Sequence, residues 1–256
     1  MLDLILFGVF PYVAIILLVV ISIQRYRSQR FTFSSLSSQF LESKRLFWGS
    51  VPFHLGIIGI LFGHLIGFAV PRGVQLWNGD PLRLWILEVT ALVFGSMALV
   101  GLVALVLRRM ADRRLHQPTS IADKSLHVIL FGLIASGLYV ALFHRWGSSW
   151  YAQVAVPYLR SIFILQPNVG ILAPLPIAVK IHIGCAWSLV AIFSFTRMVH
   201  VLVAPIPYLW RPNQLVIWNK PRGAYDEMGG APRSPESPAH EQVSGADDRV
   251  ARTREA

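Results

Sequence analysis

Four histidines lie in two strongly apolar stretches of this chain, two in each stretch. His54 and His64 are ten residues apart in VPFHLGIIGILFGHLIGF, and His182 and His200 are eighteen apart within residues 177–203. A coordinating side chain inside an apolar membrane helix is costly, and it therefore indicates function. An imidazole binds a metal through one ring nitrogen while an acceptor holds the other nitrogen. Two such helices predict two bis-histidine sites of the kind that hold haem iron.

The two pairs have different spacings on ideal helices. The first pair lies roughly 15 Å apart along the helix axis and about 80° apart around it. The second pair is separated by about five turns, shares one face and lies about 27 Å apart. The two axial separations differ by about 12 Å, so pairing the histidines across the helices leaves an axial offset of about 6 Å within each pair. Helix tilt and slanted imidazole–iron axes can compensate for this offset.

The composition is typical of a membrane protein, with 54% hydrophobic and 14% charged residues. Each of five apolar stretches is close to the length of about 20 residues that crosses the hydrocarbon core. The predicted spans are 3–23, 49–70, 85–107, 126–144 and 177–203. The first lacks a basic segment before it and a small-residue cleavage site, so it does not resemble a cleaved signal peptide. We therefore expect an all-α integral membrane protein with five transmembrane helices.

The net charge of +10 is distributed as a topology signal and not as a nucleic-acid surface. Residues 24–47 and 108–124 contain ten Lys and Arg residues, whereas the two other interhelix loops contain four. Basic loops stay on the cytoplasmic side of a membrane. The distribution predicts an external N-terminus, a cytoplasmic C-terminus and no nucleic-acid partner.

Cysteine usage limits the cofactors that the chain itself can hold. Cys185 is the single cysteine, which excludes an internal disulfide and a four-cysteine iron–sulfur cluster in this chain. The motif C-x-x-C-H does not occur, which excludes covalent c-type haem. Any haem is therefore expected to be bound without a covalent link.

The second span carries a stripe of glycines beside its histidines. Gly56, Gly59, Gly63 and Gly67 follow 3/4/4 spacing, and such a smooth face allows another helix or a flat macrocycle to approach closely. Before the stripe, Ser50 is a candidate N-cap with Pro52 in the first turn, so this pattern predicts a helix start near residue 50.

Spans two and five run in opposite directions in the predicted topology. His54 and His200 are then expected to share the cytoplasmic leaflet, while His64 and His182 share the outer leaflet. The alternative is that the histidines only form hydrogen bonds between helices, without a metal. Depth-matched pairing favours metal binding.

Four further histidines favour structural or solvated roles. His127 and His144 lie at opposite ends of span four, while His116 is in a loop and His240 is in the C-terminal part. The external segment 145–176 is long enough for a short interfacial helix. We divide the chain into a membrane domain at 1–218 and a disordered cytoplasmic tail at 219–256, where Gly, Pro, Ser, Ala and charged residues dominate.

Three segments resemble one family, the respiratory nitrate reductase gamma subunits. The run FHLGIIGILFGHLIGF is similar to that family's second span, and FSFTRMVHVLVAPIPYL at 193–209 resembles the end of its fifth span. The segment SSQFLESKR is similar as well. The resemblance covers about residues 5–218.

The resemblance implies a diheme cytochrome b in the cytoplasmic membrane, where it contacts membrane lipid. Such a subunit anchors an iron–sulfur (beta) subunit and a molybdenum-containing catalytic (alpha) subunit. It oxidises quinol to quinone and passes electrons inward, and nitrate is reduced by its partner. By motif, His54 and His200 would ligate the inner haem, and His64 and His182 the outer haem. No residue of this chain is expected to act on nitrate.

The resemblance also implies a quinol pocket bordered by Gly63 and His64. Members of the family place a lysine near the quinol, whereas the nearest basic residue here is Arg83. An arginine can donate a hydrogen bond to a quinone oxygen, but it stays protonated and cannot act as the base. Two other functions stay open: a diheme anchor of another quinone-linked complex, such as a sulfur-metabolising one, and a haem-free scaffold or small transporter.

Overall fold

The computed structural model describes residues 1–28, 44–111, 121–196 and 198. These residues belong to one compact unit, Met1–Pro205. Several predictions concern residues outside the described ranges. They are the domain boundary at 218/219, the placement of His200, and the positions of His116 and His240.

The described residues are helical, as the composition predicts, and five helices are long and apolar enough to cross a membrane. The five membrane helices are α1 (Leu2–Ser28), α2 (Lys44–Ala69), α4 (Pro81–Ala111), α5 (Ile121–Phe143) and α7 (Ile177–Ile192). Two shorter helices, α3 (Pro71–Trp77) and α6 (residues 147–163), connect their ends. Many large apolar side chains on the membrane helices face outward, as expected for helices that contact lipid. The predicted five-helix membrane fold is confirmed.

The five membrane helices pack in the order α2, α4, α5, α7 and α1. Lys180 on α7 forms a 2.7 Å salt bridge with Asp3 on α1, which marks one end of the bundle, here called the Asp3 end. Arg25 of α1 and Ser194, just after α7, meet at the opposite end, here called the Arg25 end. α1 and α7 therefore run parallel to each other. The contacts of α2 with α4, of α4 with α5 and of α5 with α7 each join early residues of one helix to late residues of the other, so α2 and α7 are antiparallel.

The glycine stripe of α2 serves mainly for close helix packing. A Cβ atom at Gly56 would lie 2.5 Å from the Phe94 carbonyl oxygen of α4, and one at Gly59 would lie 2.6 Å from the Phe94 ring. A Cβ atom at Gly101 of α4 would meet the backbone of Phe53 in return. The two helices thus pack backbone to backbone, which only glycine permits at these positions.

The bridging helix α6 connects α1 to α2 across the Asp3 end. Tyr158 of α6 is fully buried, and its hydroxyl donates to the Phe7 carbonyl of α1 at 2.9 Å. Burial raises the pKa of Tyr158 to about 12, so the phenol stays protonated and remains a donor. Arg160 donates to the Phe68 carbonyl of α2 at 2.8 Å. The predicted short helix within 145–176 is confirmed, and it closes the row of helices at this end.

The prediction of one continuous helix over 177–203 is wrong. The α-helix ends at Ile192, a 3-10 turn covers Phe193–Phe195, and Thr196 is extended. Backbone carbonyls at this end accept hydrogen bonds from α1, because the Arg25 guanidinium donates to the carbonyls of Ser194 and Thr196 at 2.9 Å. The Ser194 hydroxyl donates to the Leu18 carbonyl at 3.0 Å, and the Thr196 hydroxyl donates to Phe193. The estimate of 27 Å between His182 and His200, which assumes one straight helix, therefore does not apply.

The predicted start of α2 is also wrong. The helix begins at Lys44, so Ser50 is not an N-cap and Pro52 lies in the helix interior. Proline in that position removes one backbone hydrogen bond from the helix.

Candidate functional site

His64 lies on α2, near the Asp3 end of the bundle. Its Nδ1 is 2.9 Å from the carbonyl oxygen of Ile60, one turn earlier in the same helix. A carbonyl oxygen only accepts, so Nδ1 carries the proton and the neutral ring keeps its lone pair on Nε2. This is the tautomer in which Nε2 can bind a metal.

His182 lies on α7 and takes its orientation from α5. Its Nδ1 donates to the Leu133 carbonyl oxygen at 2.9 Å, and the Ser136 hydroxyl is 3.3 Å away. Gly137 of α5 lies directly beside the ring, because a Cβ atom there would be 2.8 Å from the His182 Cε1. Backbone acceptor and glycine together fix the imidazole, with Nε2 again the nitrogen that keeps its lone pair.

The two imidazoles lie close together, one on α2 and the other on α7. Their ring centres are 6.3 Å apart and their planes are inclined by 32°. Two imidazoles on opposite sides of one metal ion, with metal–nitrogen bonds of about 2 Å, have ring centres roughly 6 Å apart. The separation and the shared tautomer fit a bis-histidine metal centre.

Two glycines near these histidines face open space. Ideal Cβ atoms at Gly63, beside His64, and at Gly184, just after His182, would meet nothing within 4 Å among the described residues. The other stripe positions, Gly56, Gly59 and Gly67, all face close neighbours. Gly63 therefore leaves room next to His64 for a bulky planar group such as a haem, so the residues present fit the predicted cofactor.

Tyr151 of the bridging helix covers one side of His64. The two rings are 5.1 Å apart in an edge-to-face arrangement, and the Tyr151 hydroxyl donates to the His64 carbonyl oxygen at 3.0 Å. Burial raises the pKa of the Tyr151 phenol, so it remains a hydrogen-bond donor at neutral pH. Sequence analysis assigns no role to this tyrosine.

Comparison with known proteins identifies the family behind this geometry. Residues 3–219 match the family model described as nitrate reductase gamma subunit. The chain belongs to the nitrate reductase gamma subunit family. The resemblance seen in the histidine motifs is thereby confirmed over nearly the whole length of the membrane domain.

Relatives of this gamma-family chain include full-length counterparts and a longer protein. It is 30% identical to the nitrate reductase gamma chain of Bacillus subtilis over 210 residues, covering 81% of this chain and 94% of that protein. The chain is 28% identical to the respiratory nitrate reductase 1 gamma chain of Escherichia coli over 220 residues, which cover 84% of this chain and 97% of that protein. It is 34% identical to the nitrate reductase-like protein NarX of Mycobacterium tuberculosis over 212 residues, 80% of this chain. The chain spans only 32% of the length of that last relative.

His54 adopts the same tautomer near the Arg25 end of this gamma-family chain. Its Nδ1 lies 2.7 Å from the Ser50 carbonyl oxygen, and the Ser50 hydroxyl lies 3.2 Å from it. The ring is exposed and packs edge-to-face on Phe53. Its predicted partner His200 lies outside the described residues, so the His54–His200 pairing stays a prediction.

Arg83 contacts Trp77 and Asp80 at the Asp3 end. Its guanidinium lies 5.3 Å from the centre of the Trp77 ring, and its backbone N–H donates to Asp80 Oδ1 at 3.1 Å. Trp77 in turn donates to the Arg83 carbonyl at 3.2 Å. Arg83 therefore stabilises the α3–α4 connection, and its predicted contact with quinol stays a prediction.

The two histidines of α5 have partners consistent with structural roles. His127 forms a hydrogen bond through Nδ1 with the carbonyl oxygen of Asp123 on its own helix, 2.5 Å away. His144 packs against the Tyr139 ring at 6.0 Å. Neither is paired with a second imidazole among the described residues.

Sequence reasoning missed the partners that orient the histidines. Leu133 and Ser136 hold His182, and Tyr151 holds His64, all across different helices. The Leu133 partner is a backbone carbonyl, which any residue type supplies, so no residue pattern reveals it. Only the packing of α5 on α7 and of α6 on α2 shows these contacts.

Proposed function

We propose that this chain is the quinol-oxidising membrane subunit of a respiratory nitrate reductase, a cytochrome b with two non-covalent haems. The observation that carries the proposal is the His64–His182 arrangement, in which the ring centres lie 6.3 Å apart. Both rings donate from Nδ1 to a backbone carbonyl. This geometry supports iron ligation far better than a pair of histidines that bond only to each other.

The residues divide into two ligand pairs. His64 and His182 hold the haem nearer the Asp3 end, and His54 and His200 hold the haem nearer the Arg25 end. Each bound haem supplies one-electron transfer, which allows a two-electron donor to be oxidised in single steps. Of these ligands, His54, His64 and His182 are each held by a hydrogen bond from Nδ1 to a backbone carbonyl.

The proposed orientation places the Asp3 end outside and the Arg25 end in the cytoplasm. Its support is the excess of ten basic residues against four in the interhelix loops. The iron–sulfur (beta) and molybdenum-containing (alpha) subunits then bind at the Arg25 end. Electrons leave the chain on the side where nitrate is reduced, in the cytoplasmic membrane of the cell.

Quinol oxidation is placed beside His64. Quinol loses two protons and two electrons to become quinone, and the protons leave at the outer face. Gly63 leaves open space next to the imidazole, and Arg83 is proposed to donate a hydrogen bond to a quinone oxygen. Arginine is not the base, because its guanidinium stays protonated.

Haem content tests the proposal directly. We expect the purified complex to contain two extractable b haems in this subunit, and His64→Ala and His182→Ala each to lose the same one. His144→Ala, which alters a histidine assigned to packing, should keep both. A wild-type subunit without haem would support the scaffold alternative. Full haem content in both His64→Ala and His182→Ala would refute the ligand assignment.

The terminal acceptor needs a separate measurement. Quinol-driven reduction should proceed with nitrate when all three subunits are present. If the purified complex reduces a sulfur oxyanion and not nitrate, the related quinone-linked complex is the correct reading. The assignment of the haem ligands would then still hold, whereas the assignment of the partner subunits would be wrong.

A further inference from the structure

One residue of the bridging helix touches both the main chain and the side chain of His64. The Tyr151 hydroxyl donates to the His64 carbonyl oxygen at 3.0 Å. The Tyr151 ring also meets the His64 imidazole edge-to-face, with 5.1 Å between ring centres and 73° between the planes. Since both contacts come from one side chain, rotation of the imidazole is coupled to the position of α6.

The place of the Tyr151 ring depends on a glycine one turn beyond His64. An ideal Cβ atom at Gly67 would lie 2.7 Å from Tyr151 Cε1 and 2.9 Å from Cδ1. A ring cannot yield at these atoms as a flexible chain would, so any larger residue at Gly67 must displace Tyr151. The sequence thus keeps a space on α2 for this aromatic ring.

The remainder of α6 holds Tyr151 at this position. Arg160 donates to the Phe68 carbonyl of α2, and the Tyr158 hydroxyl donates to the Phe7 carbonyl of α1. Trp187 of α7 donates to the Tyr158 hydroxyl at 3.2 Å. The helix that carries Tyr151 is therefore attached to three membrane helices, and the tyrosine has little freedom to move away from His64.

We propose that Tyr151 is a positioning residue for the metal ligand His64, one that fixes the imidazole rotation and excludes water from that side of the site. The inference rests on the proposed function, because it assigns a role toward the haem that His64 and His182 hold. The orientation of an axial imidazole and the dryness of its surroundings both tune a haem's reduction potential. Removal of the ring should admit water, which favours the more highly charged oxidised iron.

The test compares substitutions at Tyr151 in the complete complex in membranes. Tyr151→Ala should lower the midpoint potential of one haem and alter the low-spin ferric signal of that haem in electron paramagnetic resonance. The second haem should keep its potential and its signal. Tyr151→Phe retains the ring and loses only the hydroxyl, so it should restore most of both properties.

A change on the other helix tests the same contact while retaining the tyrosine. Gly67→Ala should displace the Tyr151 ring and change the same haem in the same direction as Tyr151→Ala. Gly73→Ala is the matched control, since a Cβ atom there meets only Val70 at ordinary contact distances of 3.7 Å or more. Tyr139→Phe is the control for removing a tyrosine hydroxyl elsewhere.

The outcomes separate this role from the proposed function. A wild-type complex without haem would overturn both the proposed function and the positioning role of Tyr151. Two haems in the wild type, with unchanged potentials and signals in Tyr151→Ala, overturn the positioning role alone. If Tyr151→Ala does not assemble, Gly67→Ala decides: an assembled variant with an unaltered haem shows that Tyr151 is purely structural.

Discussion

His182 donates from Nδ1 to the carbonyl oxygen of Leu133, 2.9 Å away on a different helix. His64, by contrast, is held through the Ile60 carbonyl of its own helix. The orientation of His182 therefore depends on how α5 packs against α7, whereas that of His64 depends on its own helix and on Tyr151. Changes to α5 that never touch a ligand should consequently alter the site.

Gly137 gives the sharpest test of that dependence. A Cβ atom at this position would lie 2.8 Å from His182 Cε1 and 3.2 Å from Nδ1, so Gly137→Ala must move the imidazole. Because Nδ1 then leaves the Leu133 carbonyl, we expect loss of one haem of the two, measured by extraction and optical spectrum.

The matched control is Gly132→Ala on the same helix. Its Cβ atom would approach only the Cys185 sulfur, at 3.3 Å, which a shift of a few tenths of an ångström relieves. This variant should keep both haems. Equal loss in both variants would mean that α5 tolerates no added side chain at all, and the specific effect on His182 would be refuted.

The pairing at the Arg25 end is tested by single substitutions at its two histidines. His54→Ala and His200→Ala should each remove the same haem and spare the one held by His64 and His182. The reason is their shared depth in the topology that the sequence predicts. Optical and redox spectra of each variant identify which haem is missing. Loss of different haems from the two variants contradicts the pairing.

Local patterns in the sequence predict the elements of the fold but not its long-range contacts. The lengths of the apolar stretches predict all five membrane helices. The predicted membrane depths of the histidines correctly place His64 near His182. The predicted continuation of α7 to residue 203 is wrong, because the end of α7 bonds to Arg25 and Leu18 of α1, contacts that apolar composition does not reveal. The predicted start of α2 near residue 50 is wrong, because the local sequence does not distinguish a proline in the first turn of a helix from a proline in its interior.

Arg25 is expected to stabilise the end of α7. One guanidinium nitrogen donates to the carbonyls of Ser194 and Thr196, each at 2.9 Å. Loss of donors to part-buried carbonyls costs about 1–3 kcal/mol, so Arg25→Leu should lower the unfolding temperature. It should also weaken retention of the haem for which His200 is a proposed ligand, because His200 follows these residues closely in the chain.

Arg27→Leu is the matched control, because Arg27 is exposed in the same turn. Thermal unfolding of the purified subunit and its haem content measure both effects. Similar behaviour of Arg25→Leu and Arg27→Leu would show that the charge, and not the bonds to the end of α7, is what matters.

Docking of the soluble subunits is expected to involve residues 208–218, together with the basic first interhelix loop, which is predicted to be cytoplasmic. The segment contains Tyr208, Trp210, Arg211 and Trp218, residue types that favour the buried centres of interfaces. Truncation after Ala204 should release the soluble subunits from the membrane, while truncation after Gly223 should not. Co-purification measures this directly, and equal retention in both truncations would place the docking surface elsewhere.

The last prediction concerns Arg83 and the quinol. Arg83→Ala should slow quinol-driven nitrate reduction, because a donor to the quinone oxygen is lost, while both haems stay bound. Nitrate reduction driven by an artificial dye that supplies the soluble subunits directly should be unchanged. Arg72→Ala on α3, another exposed arginine of the same connection, serves as the control and should leave both activities intact.

The contact of Arg83 with Trp77 gives a second way for the substitution to act. Since the guanidinium lies 5.3 Å from the Trp77 ring, Arg83→Ala also weakens the α3–α4 connection. Arg83→Lys separates the two effects, because lysine keeps a donor but loses the planar group that stacks on the indole. Recovery of quinol activity in Arg83→Lys supports contact with quinol. Equal loss of quinol and dye activities in Arg83→Ala indicates misassembly, and normal quinol activity in Arg83→Ala removes this residue from the pocket.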